Sequence, residues 1–485
     1  MNNKRIYHKI LTVLLAALMF AGCSDTLKEE AMDFLSPDNF PKTENDLDAA
    51  ITSVFAALRD GTTGGNMWGL HAGSDDYTAT RGLNKQPWLE FNDFNLSEAN
   101  SMLEKSWGGL YQTIDRANLV IKLQGNVEMD ETVRTQKVAQ AHFARALCYF
   151  HLVRFWGDVP LLLGEETMAE AALVGKTPAA QIYDQIIIDA EAAEAVLPKT
   201  WANQPGRPTV GAAKTLLANI YATMAGWPMN KGQAYYEMAA NKAAEVIALN
   251  QYDLEDNFAD VFSYENKNGK EHIFAIQGNV DKGIYGNKAL RGSENKGWKD
   301  ILADIAFFQS FPEDTRKPVS FRTVFKGGVQ WENSKEGHPW VFKFDDVGPV
   351  AQSKAKTANN YSVFRYAEVL LLYAECQNMA DGAPNATSIG YLNDIRNRAS
   401  GNDPSILPLI ESGISSADFD AAVLQERAWE FAFEHKRWHD LVRRDMVKEA
   451  NMNHELNDFD PSVITQEDYL FPIPQREVVL NPNLK

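Results

Sequence analysis

Residues 235–247 read Tyr235-Tyr236-Glu237-Met238-Ala239-Ala240-Asn241-Lys242-Ala243-Ala244-Glu245-Val246-Ile247. Small residues recur at 239, 240, 243 and 244, the spacing of one helical face pressed against a neighbour. Just upstream, Gly211, Ala212, Ala213, Ala218 and Ala222 would let a second helix approach closely. Two helices per ~34 residues is the tetratricopeptide spacing. Working outward, the same periodicity predicts helices over about 102–124 and 131–156, 178–197 and 209–226, and 233–250. A late pair is expected over 361–380 and 385–399. A first helix should open at Thr43-Glu44-Asn45-Asp46 and run to about Arg59, with Leu47, Ala50, Ile51, Val54 and Leu58 on one face.

Two stretches break this pattern. Residues 61–100 are rich in Gly, Asn, Asp and Trp and show little periodicity. Irregular stretches of that length inside a folded chain are more often functional than idle. Between 252 and 350, Ile273-Phe274-Ala275-Ile276 reads as a strand. Val319, Phe321 and Thr323 alternate, Lys326-Gly327-Gly328 can turn, and Trp340, Phe342 and Phe344 alternate again. These predict a small hairpin sheet with long loops.

The N-terminus is an address. Lys4, Arg5 and Lys9 precede the apolar run Ile10–Phe20, too short for a ~20-residue membrane span but suited to a signal peptide. Phe20-Ala21-Gly22-Cys23 then resembles the bacterial lipoprotein box, with Cys23 lipidated and first in the mature chain. Residues 1–22 are thus a signal peptide, 23–35 the lipidated cysteine and a polar spacer, and 36–485 one folded domain. The 485 residues hold 47 Lys and Arg against 65 Asp and Glu, a net charge of −18. Residues 1–22 carry three of the cations and no acid, so the mature chain stands at −21. That balance excludes wrapping of nucleic acid, since nothing would offset the phosphates. Three cysteines exclude a disulfide scaffold. Cys148 and Cys376 sit in apolar helical contexts and are expected to be buried free thiols.

Two segments carry a family resemblance. The first is Ala144-Arg145-Ala146-Leu147-Cys148-Tyr149-Phe150-His151-Leu152-Val153-Arg154-Phe155-Trp156-Gly157-Asp158-Val159-Pro160. The second is Glu426-Arg427-Ala428-Trp429-Glu430-Phe431-Ala432-Phe433-Glu434-His435-Lys436-Arg437-Trp438-His439-Asp440-Leu441. With Ser36-Pro37-Asp38-Asn39-Phe40, Phe364-Arg365-Tyr366-Ala367-Glu368-Val369-Leu370 and Phe471-Pro472-Ile473-Pro474, they resemble the SusD/RagB family of Bacteroidetes outer-membrane glycan-binding lipoproteins. The resemblance covers essentially the whole mature chain. It implies a mostly α fold: a tetratricopeptide-like helical-repeat scaffold with an irregular, loop-rich ligand-binding half and a small β-hairpin sheet. It also implies capture of oligo- or polysaccharide at the cell surface, handed to a SusC-like TonB-dependent transporter, without catalysis or cofactor.

An aromatic face can stack on the apolar face of a sugar ring while fixed polar groups hold its hydroxyls. Trp107, Trp156, Trp429 and Trp438 lie on expected helices and read as core. Trp68, Trp88, Trp201, Trp298, Trp331 and Trp340 lie in loops or the small sheet. Thr80-Arg81-Gly82 resembles a family segment whose arginine bonds sugar hydroxyls, a task suited to the guanidinium fork. A second ligand segment is expected at Gly292–Trp298. The candidate glycan contacts are therefore Arg81, Trp298, Trp88, Tyr285, Trp68 and Asn92.

Enzyme readings fare worse. Glu426, Glu430 and Glu434 fall at i, i+4 and i+8 on an expected helix over 426–444. Arg427, Lys436, Arg437, Arg443 and Arg444 are interleaved with them, so pairing with neighbours accounts for the acids better than a glycosidase dyad. His435 and His439 have zinc-binding spacing, but Lys436 replaces the glutamate of His-Glu-x-x-His, and no metal is expected. A surface glycoside hydrolase built on loop acids such as Asp75 and Asp76 is one rival. A protein- or peptide-docking module of the same transporter is another.

Overall fold

Long helices begin where the sequence supplies a cap. The computed structural model describes residues 40–63, 65–281, 283–285, 287–290, 297–350, 356–452 and 460–485. Helix α1 (Glu44–Thr62) opens on a capping box in which the Thr43 hydroxyl accepts from the Asp46 N–H and the Asp46 carboxylate answers. Asn100 caps α2 (Ser101–Leu123), and Asp130 caps α3 (Glu131–Trp156). Next come α4 (Ala179–Val196), α5 (Val210–Ala225, capped by Thr209) and α6 (Gln233–Ile247). The last long helices are α7 (Tyr366–Asp381), α8 (Ala386–Ser400) and α9 (Ser416–Glu430), followed by the short α10 (Arg437–Arg443). Helices α7 and α8 both stop at a glycine in the left-handed region, Gly382 (φ 73°) and Gly401 (φ 65°).

Each helix from α1 to α8 packs on the next in the chain, and α9 returns onto α7. This stacking of helix pairs is the expected repeat scaffold. The small residues sit at the contacts: Ala212, Ala213, Ala218, Ala239 and Ala243 are fully buried. Helices α1 and α2 cross at Gly61 and Gly109, where a Cβ on either would fall 2.7–2.8 Å from the other's backbone. The main core joins α3, α5 and α6 to the irregular half, and a second core fills the space between α7, α8 and α9. Cys148 and Cys376 are buried free thiols as expected, and burial pushes the Cys148 thiol up to about 12.

Four expectations are corrected. The helix expected over 361–380 starts only at Tyr366, because Tyr361–Arg365 forms strand β8 against β2 (His272–Ile276). Its alternating aromatic and β-branched residues suit a ladder better than a helix. The 426–444 helix is broken: α9 ends at Glu430, and Phe433 (φ 67°) and His435 (φ 59°) turn the chain before α10. The Phe433 N–H leaves the helical pattern to donate to the Asp76 carboxylate at 2.8 Å. The 61–100 stretch holds short helices Gly65–Leu70 and Gln86–Asn92 and strand β1 (Tyr77–Ala79). Finally, the small sheet is four separate antiparallel pairs among the described residues. Only β5 (Phe321–Arg322) with β6 (Trp340–Val341) is the expected local pairing. The others join distant segments: β1 with β4 (Ile301–Ala303), β2 with β8, and β3 (Ile284–Tyr285) with β7 (Lys356–Thr357).

The charged segment over 426–444 is structural, as its interleaved signs suggest. Arg365 is 1% exposed and bonds Glu271, Glu430 and Glu434 at 2.6–2.9 Å. Arg316 bonds Asp314 and Glu426 at 2.6–2.7 Å. Burial alone would raise the Glu430 carboxyl; Arg398, Arg365 and Arg316 overcome it and hold Glu430 below the usual carboxylate range. Arg427 and Arg443 clamp Asp440 in the same way.

Candidate functional site

The irregular half is organised by the pairing of β1 with β4. Tyr77, Thr78 and Ala79 face Ala303, Leu302 and Ile301. The ladder is extended beyond the strands: the Thr80 N–H donates to the Asp300 carbonyl at 3.0 Å, and the Thr80 hydroxyl donates to the Lys299 carbonyl at 2.5 Å. Lys85 forms an ion pair with Asp300, and its ammonium also donates to the Trp298 carbonyl at 3.1 Å. The chain on either side of Arg81 is therefore fixed to the chain at and after Trp298, although more than two hundred residues separate them.

Arg81 and Trp298 are the two sequence candidates that this arrangement presents outward. Trp298 is 52% exposed. Its N–H donates to the Lys288 carbonyl at 2.7 Å, and the Lys288 ammonium stands 5.3 Å from the ring centroid. Arg81 keeps 30% of its side chain exposed while forking onto Asp93, one arm at 2.9 Å. A guanidinium held on a carboxylate is pre-oriented and loses less freedom on meeting a ligand.

Trp68, Trp88 and Asn92 stand elsewhere. Trp68 is 4% exposed and edge-packed on Phe344 (centroids 5.1 Å) and His435 (4.1 Å). Trp88 is 7% exposed on the short helix Gln86–Asn92, in the main core. Neither ring offers a free face for a sugar, so both are corrected to core residues; the apolar side of an amphipathic short helix has nowhere else to go. Asn92 is 2% exposed and bonded inward. Its side-chain oxygen accepts from the Ala79 N–H at 2.8 Å and its amide donates to Asp93 at 2.9 Å. It positions Asp93, which in turn holds Arg81, and so acts behind the surface. Tyr285 closes β3 opposite Lys356. Gly292–Lys296, like Cys23 and Ser36–Asn39, lie outside the described residues.

Asp93, Lys85 and Asp300 escaped the sequence reading. No local spacing links Arg81 to Asp93, twelve residues on, or Lys85 to Asp300. A separate open cleft of about 430 Å³ has Phe91, Phe94, Trp438 and Phe471 in its walls with Glu90, Glu467 and Asp468 at hand. Its walls come from four distant segments, which hid it equally well.

Other acids are already engaged. Asp75 is gripped by Arg437 at 2.6 and 2.7 Å. Asp76 is 1% exposed, accepts from Ser74 and Phe433, and is pushed up to about 6 chiefly by burial. Asp75 lines an open cleft of about 150 Å³ but is spent on Arg437 there, and Asp76 is buried, so the two do not face each other across a sugar-sized gap as a glycosidase pair does. His435 and His439 do not share a helical face, since the chain turns between them. Among the described residues no helix is long and apolar enough to cross a membrane.

Comparison with known proteins places this architecture. The SusD family model matches residues 264–485, and a model described as starch-binding associating with outer membrane matches 32–222. SusD-like protein P2 of Formosa agariphila is 30% identical, with 98% of each chain covered. A SusD superfamily protein from Parabacteroides distasonis superposes with a TM-score of 0.78 at 28% identity, over 90% of this chain and 98% of that one. A laminarin-binding SusD-like protein shares the fold, with a TM-score of 0.77 at 24% identity over 91% and 98%. The helical-repeat scaffold, the irregular half that it carries and these matches over nearly the whole chain agree, and the chain belongs to the SusD family.

Proposed function

We propose that the protein is a surface lipoprotein, anchored through Cys23, that captures oligo- or polysaccharide and passes it to a SusC-like TonB-dependent transporter. The observation that carries the reading is that Thr80 and Lys85 tie the chain around the carboxylate-held Arg81 to the chain around the half-exposed Trp298. The two residues offer an aromatic platform and an N–H donor to sugar hydroxyls, the two things a sugar requires. The family model's starch-binding description and the laminarin-binding relative support the ligand class. The mechanism is binding and handover, with no bond made or broken.

One aromatic platform and one hydrogen-bonding arginine contribute on the order of 1–3 kcal/mol each. Single sugars should bind weakly and oligomers that span both groups more tightly. After a panel of polysaccharides has identified a binder by affinity electrophoresis, Trp298→Ala and Arg81→Ala should each weaken it about tenfold or more, at ~1.4 kcal/mol per decade. Calorimetry measures this directly. Wild-type affinity in both variants would remove this surface from the reading.

The anchoring and the partner meet in one cellular experiment. Fatty-acid labelling should tag the wild type, and a mild-detergent pull-down from outer membranes should recover a large β-barrel protein with it. Cys23→Ala should be unlabelled. Equal labelling of both would sink the lipoprotein assignment, and repeated recovery without any barrel would favour a free-standing binder.

A further inference from the structure

His151 and Arg154 lie three residues apart on α3 and share a face. That face lines a small, partly open cavity of about 50 Å³, whose other walls come from α5, α7, β8, the Gly65–Leu70 segment and the turn into α10. Arg154 is half-buried and has few polar partners. Its Nε donates to the Phe150 carbonyl at 3.0 Å, Nη2 lies 3.2 Å from His151 Nδ1, and the guanidinium rests 3.9 Å from the Phe150 ring centroid. Among the described residues no carboxylate is paired with it.

The acids of the cavity wall are committed elsewhere. Glu368 takes Lys436 at 2.9 Å through both oxygens. Glu434 takes Arg365 and Lys343, and Asp440 takes Arg427 and Arg443. Arg154 is thus left without a directly paired carboxylate; desolvation, only partly offset by Glu368 and Asp440 at longer range, pulls it down to about 10, which still leaves it charged at neutral pH. A partly desolvated charge without a paired carboxylate is costly to keep.

Facing the same space are imidazoles with no hydrogen-bond partners. His71 is 1% exposed and His439 7%, and among the described residues neither ring nitrogen of either is bonded. His71 stacks on His435 at 4.5 Å, and His439 meets His71 edge-on at 5.2 Å. His435 spends Nδ1 on the Tyr361 hydroxyl at 2.7 Å and leaves Nε2 unbonded. Arg154 opposes protonation of both His71 and His439, so the three groups feel one another's charge. A buried polar group is normally satisfied. Here several unbonded imidazole nitrogens and a cation without a paired carboxylate line one space, above the ~10–15 Å³ that a single water needs and of a size for one small ion. The surplus cation disfavours a metal ion.

We propose that this cavity is a binding site for one small inorganic anion of halide or nitrate size, with Arg154 as its counter-charge and His71 and His439 as hydrogen-bond donors. The bound anion would neutralise Arg154 and join α3 to the turn that carries His435 and His439. The test uses the full mature chain crystallised with sodium bromide as the sole halide. Anomalous diffraction is expected to place a bromide within hydrogen-bond distance of the Arg154 guanidinium. In solution, bromide should raise the melting temperature saturably over sodium gluconate at equal ionic strength, and Arg154→Met should abolish that rise. Ordered water alone in the cavity would overturn the proposal, as would identical wild-type melts in the two salts. Should Arg154→Met fail to fold, the bromide map and the wild-type salt comparison decide the matter by themselves.

Discussion

Replacing Arg365 by methionine should prevent accumulation of folded protein, or lower its stability by about 3–5 kcal/mol, the cost of breaking a buried ion pair by removing one partner. The physical reason is local and severe. Arg365 stands where β8 meets α7 and bonds three carboxylates, Glu271 before β2 and Glu430 and Glu434 at the end of α9 and the turn after it, as well as the Glu430 carbonyl at 2.7 Å. Without it, Arg398, Arg316 and Lys343 must share acids they already use. Methionine fills similar volume, so the loss would be electrostatic. Arg476, paired with Glu104 in the open at 67% exposure, is the control: Arg476→Met should leave the urea midpoint unchanged. An Arg365→Met protein that unfolds at the wild-type midpoint would refute the account of this network.

Trp68→Ala should cost about 3–5 kcal/mol, the usual range for truncating a buried large aromatic. Trp298→Ala should leave the melt essentially untouched and instead weaken glycan binding. The two residues are the same chemical type and both were sequence candidates for the site. Their surroundings separate them: Trp68 is 4% exposed among Tyr77, Phe344, Tyr361 and His435, whereas Trp298 is 52% exposed. Urea titrations of both variants, with glycan calorimetry on those that fold, make the comparison. A stable Trp68→Ala that has lost glycan affinity would return Trp68 to the binding surface. A destabilised Trp298→Ala would mean that its exposed ring carries more packing than its surface position suggests.

The contrast shows where the sequence speaks and where it falls silent. Nothing in the residues around 68, 88 and 298 distinguishes a core tryptophan from a displayed one, because all three lie in segments of weak periodicity. Asn92 is a sharper case. As a polar residue near Trp88 it suits a sugar contact, yet its two polar ends are taken up by Ala79 and Asp93. The arginine it supports through Asp93 keeps 30% of its side chain exposed, and nothing short of the fold could show what holds it there.

By itself the sequence determined the helices and the family. Apolar and small residues at 3.6-residue spacing, with Thr43, Asn100, Asp130 and Thr209 at the starts, set α1 to α6 within a few residues, because these signals act over one or two helical turns. It also foretold that the acids and bases around 426–444 would pair. The tertiary structure decided which partner each would take, that the chain would break at Phe433, and which aromatics would be covered. Those outcomes rest on contacts such as Phe433 N–H to Asp76, 357 residues apart, and Lys85 to Asp300, 215 apart. Burial and charge pairing are properties of a place in space, and only the closed chain brings such distant residues to one place.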